Sequence, residues 1–289
     1  MRIADLYSRR RPVISFEFFP PKSDAGYRDL FRTIEDLKRL DPGFVSVTWG
    51  AGGGTRRKTT DLVVRIQREI GITAMAHMTC VGARPEDIGA TLDRLREEGL
   101  ENVLALRGDP PRDDPAWTPA SEHFCYARDL VRFIRSRWDF CVGAACHPET
   151  HPDAESPEAD LRCLAQKVEQ GIEFLITNFF FDNRDYFDFV ERARALGIQV
   201  PIVPGIMPVI STANLRKMST LNGAHIPAAL ESELARAGED AEQTLAVGIA
   251  WATEQCRELL ARGVPGIHFY TLNRSPATRR VHANLFSKC

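Results

Sequence analysis

A glutamate inside an apolar strand is the first residue of this chain that asks for a chemical reason. Glu17 lies in FEFFPPK, among Phe16, Phe18 and Phe19. A carboxylate in such a setting is costly unless it is paired or put to use. Apolar surroundings also strengthen a carboxyl group's hold on its proton, as general acid catalysis requires. The two readings are a general acid and a structural ion pair. Other polar residues recur where apolar runs end. FVSVTW leads through Thr48 to Trp49 and GAGGG at 50–54, which is neither GxGxxG nor followed by Lys-Ser/Thr and so makes a poor phosphate cradle. His77 and Thr79 close ITAMAHMTC, and Arg107 and Asp109 flank Gly108 in LALRGDPP. A glycine between charges either lets the backbone approach a ligand or makes an ordinary turn. HPETHP carries His147, Glu149 and His151, but two prolines break any helical or strand spacing, so no metal site is expected. Thr177 and Asn178 precede FFFD, and an amide there is suited to a heterocycle that offers a donor beside an acceptor. Tyr270 and Arg274 lie in YTLNR, where the arginine either grips a ligand carboxylate or phosphate or makes a surface pair. The set fits an enzyme acting on a planar heterocycle with anionic tails.

The elements that must position these residues alternate along the chain. Short β-rich runs at 13–16, 44–49, 72–80, 101–108, 140–146, 173–181, 200–206 and 266–272 are separated by stretches of helical period. Asp240 and Gln243 have the spacing of a capping box before a helix of about 20 residues. Eight strand–helix units at roughly 36 residues each, with no hairpin signal and no linker, predict a single α/β domain over 1–289, a (β/α)8 TIM barrel. A doubly wound open sheet is the alternative. Either fold places its chemistry at the C-terminal ends of the strands.

Composition narrows the partners. Lys and Arg number 37 and Asp and Glu 39, for a net charge of -2, so no general basic field for nucleic acid exists. No apolar run approaches the ~20 residues that cross a bilayer, and MRIADLYSRRRPVISF lacks the apolar core of a secretory signal. Seven scattered cysteines without a CxxC fit a reduced, cytoplasmic protein.

Taken in order, FEFFPPK, FVSVTWGAGG, AHMTC, LALRGDPP, HPETHP followed by ADL, ITNFFFD, PGIMPV and HFYTLNRSPAT resemble the signatures of the methylenetetrahydrofolate reductase family, from about residue 13 to about residue 280. The resemblance implies a barrel that binds FAD non-covalently and uses NADH or NADPH as co-substrate. It implies a ping-pong reaction, in which the nicotinamide reduces the flavin and the flavin then reduces 5,10-methylenetetrahydrofolate to its 5-methyl form, a source of methyl groups for methionine. It implies catalytic roles for Glu17, as the acid, and for Asp109, which lies near the flavin and the pterin. It further implies flavin contacts at Thr48, His77, Arg107, Asp109, His147, Asp160 and Lys167, and substrate contacts at Glu17, Asn178, Asn214, Met218, Leu272 and Arg274. No metal is implied. A homodimer or homotetramer is expected, as is a chain without the regulatory domain of eukaryotic members and without inhibition by adenosylmethionine. The sequence departs from the family's pattern at Asn178 and Asn214, where Gln is usual, at His147, usually Tyr, and at Met218, usually Phe. Competing readings are a flavin-free or altered-donor relative, one running in the methyl-oxidising direction, and a non-catalytic folate-binding subunit; retention of Glu17 and Asp109 argues against the last.

Overall fold

The computed structural model describes residues 1–9, 12–49, 56–108 and 124–287. Asp109 and the GAGGG loop lie outside the described residues. Eight strands close into a parallel barrel in chain order: β1 Val13–Phe18, β2 Phe44–Val47, β3 Ala74–Thr79, β4 Asn102–Leu106, β5 Cys141–Cys146, β6 Phe174–Phe179, β7 Ile202–Ile206 and β8 Gly266–Tyr270. β1 pairs with β8 as well as β2, with Glu17 opposite Tyr270 on one side and Ser46 on the other. The barrel, not the open sheet, is therefore the fold.

The helices are α1 Ile3–Arg9, α2 Asp24–Lys38, α3 Arg56–Arg65, α4 Pro85–Glu97, α5 Ala127–Arg135, α6 Pro157–Glu169, α7 Asn183–Ala195, α8 Thr212–Asn222, α9 Ala228–Ala237, α10 Ala241–Ala261 and α11 Pro276–Phe286. α3 runs on into a single π-turn, Ile66–Ile70. Local sequence explains several starts. The Asp240 carboxylate accepts from the backbone of Glu242 and Gln243 and from the Gln243 side chain, so the expected cap opens α10. Ser156 and Ser211 cap α6 and α8. α1 and α9 have no counterpart in the sequence reading; both are short and gain their order from tertiary packing.

Strand side chains alternate between two cores. Ile14, Phe16 and Phe18 face outward and pack under the helices. Val13, Phe44, Met75, Leu104, Cys141, Phe174, Ile176 and Val203 fill the barrel interior, and Ile3, Leu6 and Tyr7 of α1 plug its N-terminal end. A third cluster, at the ends of β6 and β7, joins Phe179, Phe181, Met207 and Val209 to α8 and α9. No helix of the described residues is long and apolar enough to cross a membrane.

Candidate active site

Alternation corrects the setting expected for Glu17. Phe16 and Phe18 point away from it, and Glu17 turns inward, its side chain 17% exposed. Its neighbours are imidazoles. Glu17 Oε2 lies 3.4 Å from His77 Nε2 and 3.5 Å from His268 Nε2. Neither nitrogen has a hydrogen-bond partner among the described residues. His268 Nδ1 sits 2.8 Å from Ser15 Oγ, one inward position below Glu17 on β1. The His268 ring stacks on Phe44 and meets Tyr270 edge-on, at centroid distances of 5.9 and 5.5 Å. Burial holds His77 below the usual imidazole range, more strongly than Glu17 opposes it, and His268 adds to the lowering.

Glu17, His77, Thr48, Thr79, Leu104, Leu106, Ile176 and Tyr270 line a cavity of about 390 Å³ at the C-terminal mouth of the barrel, together with Trp49, Gly108, Ala145 and Asn222. The Trp49 indole N–H and the Ser46 hydroxyl are buried and have no hydrogen-bond partner among the described residues either. Gly108 has φ +82°, and a Cβ there would lie 2.8 Å from Thr79 and Val81, so the turn after β4 requires glycine.

The β8–α11 turn is stitched to the end of β1. Thr271 Oγ1 donates to the Glu17 carbonyl at 2.6 Å, and the Asn273 amide both accepts from Phe19 N–H and donates to Phe19 C=O. Leu272 and Asn273 carry φ of 51° and 57°, strain that the neighbouring bonds hold in place. Leu272 packs in the third cluster and Arg274 is exposed at the rim.

Around the β4–β5 side stand the other expected contacts. Arg107 donates to Asp153 at 2.8 Å. Lys167 reaches from α6 to donate from Nζ to the Ala145 carbonyl at 2.6 Å, its cationic form disfavoured by burial. Asp160 accepts from the His151 backbone N–H. The His147 ring lies 4.7 Å from that of His151, and burial first, then His151 and Lys167, push it down to about 3. No group of three or more His, Cys, Asp or Glu among the described residues could hold a metal ion.

The substrate residues are less closely gathered. Asn178 is half-buried at the end of β6, within the register shift between Ile176 and Phe179, while Ile176 reaches the cavity. Asn214 lies in the first turn of α8, its backbone N–H capped by Ser211. Met218 packs against the third cluster, and one turn later Asn222 takes a place in the cavity wall. Sequence reasoning passed over His268, Trp49 and Asn222. For His268 a signal existed: it shares the inward face of β8 with Tyr270, two residues on. Trp49 and Asn222 carried none.

Comparison with known proteins agrees with this assembly. The family described as methylenetetrahydrofolate reductase matches residues 2–286. The chain is 37% identical to "Methylenetetrahydrofolate reductase (NADH) 1" of Arabidopsis thaliana over 98% of its own length and 50% of that protein's. It is 37% identical to "5,10-methylenetetrahydrofolate reductase" of Escherichia coli over 91% of its length and 86% of that protein's. The chain thus spans about half the length of the plant relative and most of the bacterial one. Among solved structures, an uncharacterized protein from Clostridium thermocellum that binds two copies of 5-methyl-5,6,7,8-tetrahydrofolic acid superimposes with TM-score 0.63 at 16% identity, covering 97% of this chain and 96% of that one; this likeness speaks for the fold. The match across nearly the whole chain, with an inward glutamate at the barrel mouth, places the chain in the methylenetetrahydrofolate reductase family.

Proposed function

We propose that the chain reduces 5,10-methylenetetrahydrofolate to 5-methyltetrahydrofolate with NADH or NADPH through a bound FAD. The observation that carries this reading is Glu17, turned into the mouth cavity between His77 and His268. The fit to a flavin rests on the orphaned polar atoms of the walls. A buried indole N–H and imidazole nitrogen facing a cavity of this size suit a flat ring rich in acceptors and donors. Thr48 and His77 would hold that ring, and Arg107, His147, Asp160 and Lys167 the pyrophosphate side. The chemistry a bound flavin supplies is a hydride relay from nicotinamide to folate.

The chain's own residues then have defined tasks. Glu17 gives a proton to the folate nitrogen released when the five-membered ring opens. The carboxylate left behind faces two imidazoles. If Ser15 donates to His268 Nδ1, Nε2 keeps its hydrogen toward Glu17 and stabilises that charge. His77, kept neutral by burial, faces the same oxygen. Leu104, Leu106, Val81 and Ile176 exclude water that would hydrolyse the opened ring. Asp109, outside the described residues, is proposed to stabilise the positive charge that develops on the folate. The purified protein should show a flavin spectrum that NADH bleaches anaerobically and methylenetetrahydrofolate restores. A protein that releases no flavin on denaturation, even after reconstitution with FAD, overturns the reading.

A further inference from the structure

Glu149, in the motif HPETHP, serves none of the steps above, yet it makes a contact across 76 residues of sequence. Its Oε1 accepts the His225 backbone N–H at 2.9 Å. His225 lies in the turn between α8 and α9, two residues after Gly223, the left-handed C-cap of α8 with φ +72°. Pro152 of the same motif packs against that turn, 3.3 Å from where a Gly223 Cβ would stand. The loop after β5 thus grips the 222–226 turn at two points. Asn222, at its start, lines the active-site cavity, and its Nδ2 donates to Met218 C=O at 3.0 Å, leaving Oδ1 to accept from a ligand.

We propose that Glu149, together with Asp185, is a positioning residue, latching the Asn222–Ile226 turn to the loop after β5 and so setting Asn222 in the cavity wall, with a hold that depends on a shared proton. The carboxyl groups of Glu149 and Asp185 are in hydrogen-bonding contact, with Asp182 beside them, itself paired to Arg184. The His225 imidazole acts on Asp182 and Asp185 from the turn. Among the described residues, these are the charged groups that face the pair. A protonated Glu149 donates to Asp185 through one oxygen and accepts His225 N–H through the other. Two carboxylates in that contact repel, and the half-buried Glu149 has solvent to move into.

Burial first, then Asp185 and Asp182, raises Glu149 to about 7, against the lowering by the His225 N–H; Asp185 is raised as well. A raised acid contributes its stability in full below its unfolded value of 4.5 and loses it as pH climbs through about 7. The latch therefore opens on the alkaline side.

The role in binding rests on the reading of the cavity as the reductase site, but the latch does not, so the experiment has two arms. In hydrogen exchange of the whole protein, the protection factors of residues 222–226, corrected for intrinsic rates, should fall about tenfold as pH passes from 6 to 8, the scale of one lost buried hydrogen bond. Glu149→Gln should keep them high and flat, since its amide accepts from His225 and donates to Asp185 without a titrating proton. Asp185→Asn should also remove the fall near 7. Glu149→Ala should lower protection at every pH. In kinetics, wild-type KM for folate or nicotinamide should rise severalfold above pH 7 with a smaller change in kcat, and Glu149→Gln should flatten that rise. Protection that stays pH-independent in the wild type, or a Glu149→Gln profile that still falls, overturns the latch. A pH-dependent latch with flat KM values leaves it standing and removes its link to binding. Absence of any reductase activity counts against the proposed function and leaves the exchange arm decisive for the latch.

Discussion

The two ends of the barrel interior are built from the same strands and treat polar groups in opposite ways. At the N-terminal end, Ile3, Leu6 and Tyr7 close the interior over Phe44, Met75 and Phe174. Several polar groups there are matched. Ile3 N–H donates to Asn102 Oδ1, and Glu173 accepts from both Arg2 and Arg135. At the C-terminal end, the inward atoms His77 Nε2 and His268 Nε2, with Trp49 Nε1 and Ser46 Oγ, are buried without hydrogen-bond partners among the described residues. Native proteins leave few such atoms, because each costs roughly 1–3 kcal/mol. One end spends its sequence on stability. The other holds unsatisfied groups that a ligand or ordered water must complete, and so it marks the site.

Mutations at the two ends should separate these roles. Phe174→Ala at the plugged end should cost about 3–5 kcal/mol of stability. It should leave flavin content and turnover of the folded fraction near normal, as denaturant melts and assays at low temperature would show. Loss of flavin in the folded protein would blur the division. Glu17→Gln keeps shape and removes the acid. Reoxidation of the reduced enzyme by methylenetetrahydrofolate should slow at least ~10²-fold, while bleaching by NADH stays near normal in stopped-flow. Equal losses in both half-reactions make Glu17 structural.

Asn178→Ala tests how far the site extends along β6. Unpaired folate atoms should cost about 1–3 kcal/mol, a roughly ten- to hundredfold fall in folate turnover, with a smaller change in flavin content. A variant that instead loses its flavin and keeps its folate kinetics after reconstitution puts Asn178 on the other ligand. The smallest effect is expected at Tyr270→Phe, which removes the hydroxyl donating to Thr177 C=O at 2.8 Å. About 1 kcal/mol of stability should be lost, and the thermal midpoint should drop by a few degrees.

Much of the fold was legible in the chain because its signals are local. Eight apolar runs at regular spacing and the cap at Asp240 depend on neighbours a few residues away, and all appear where expected. α1 and α9 were not legible, since packing against the barrel end and against α8 decides them.

The sequence by itself determined the barrel, its family and the strand ends that carry Glu17, Thr48, His77 and Arg107, because period, turn residues and motif order are written in one dimension. Tertiary structure alone decided what Glu17 meets. Among phenylalanines in the sequence, it stands between two imidazoles in the barrel, because a strand sends adjacent side chains to opposite faces and barrel closure brings β8 beside β1. It also decided that Asn222 reaches the cavity while Met218, one turn earlier, packs into the third cluster. That choice turns on how α8 lies against β6 and β7, and on the loop after β5 that holds its end. Contacts between residues so far apart in the chain leave no periodic mark along it.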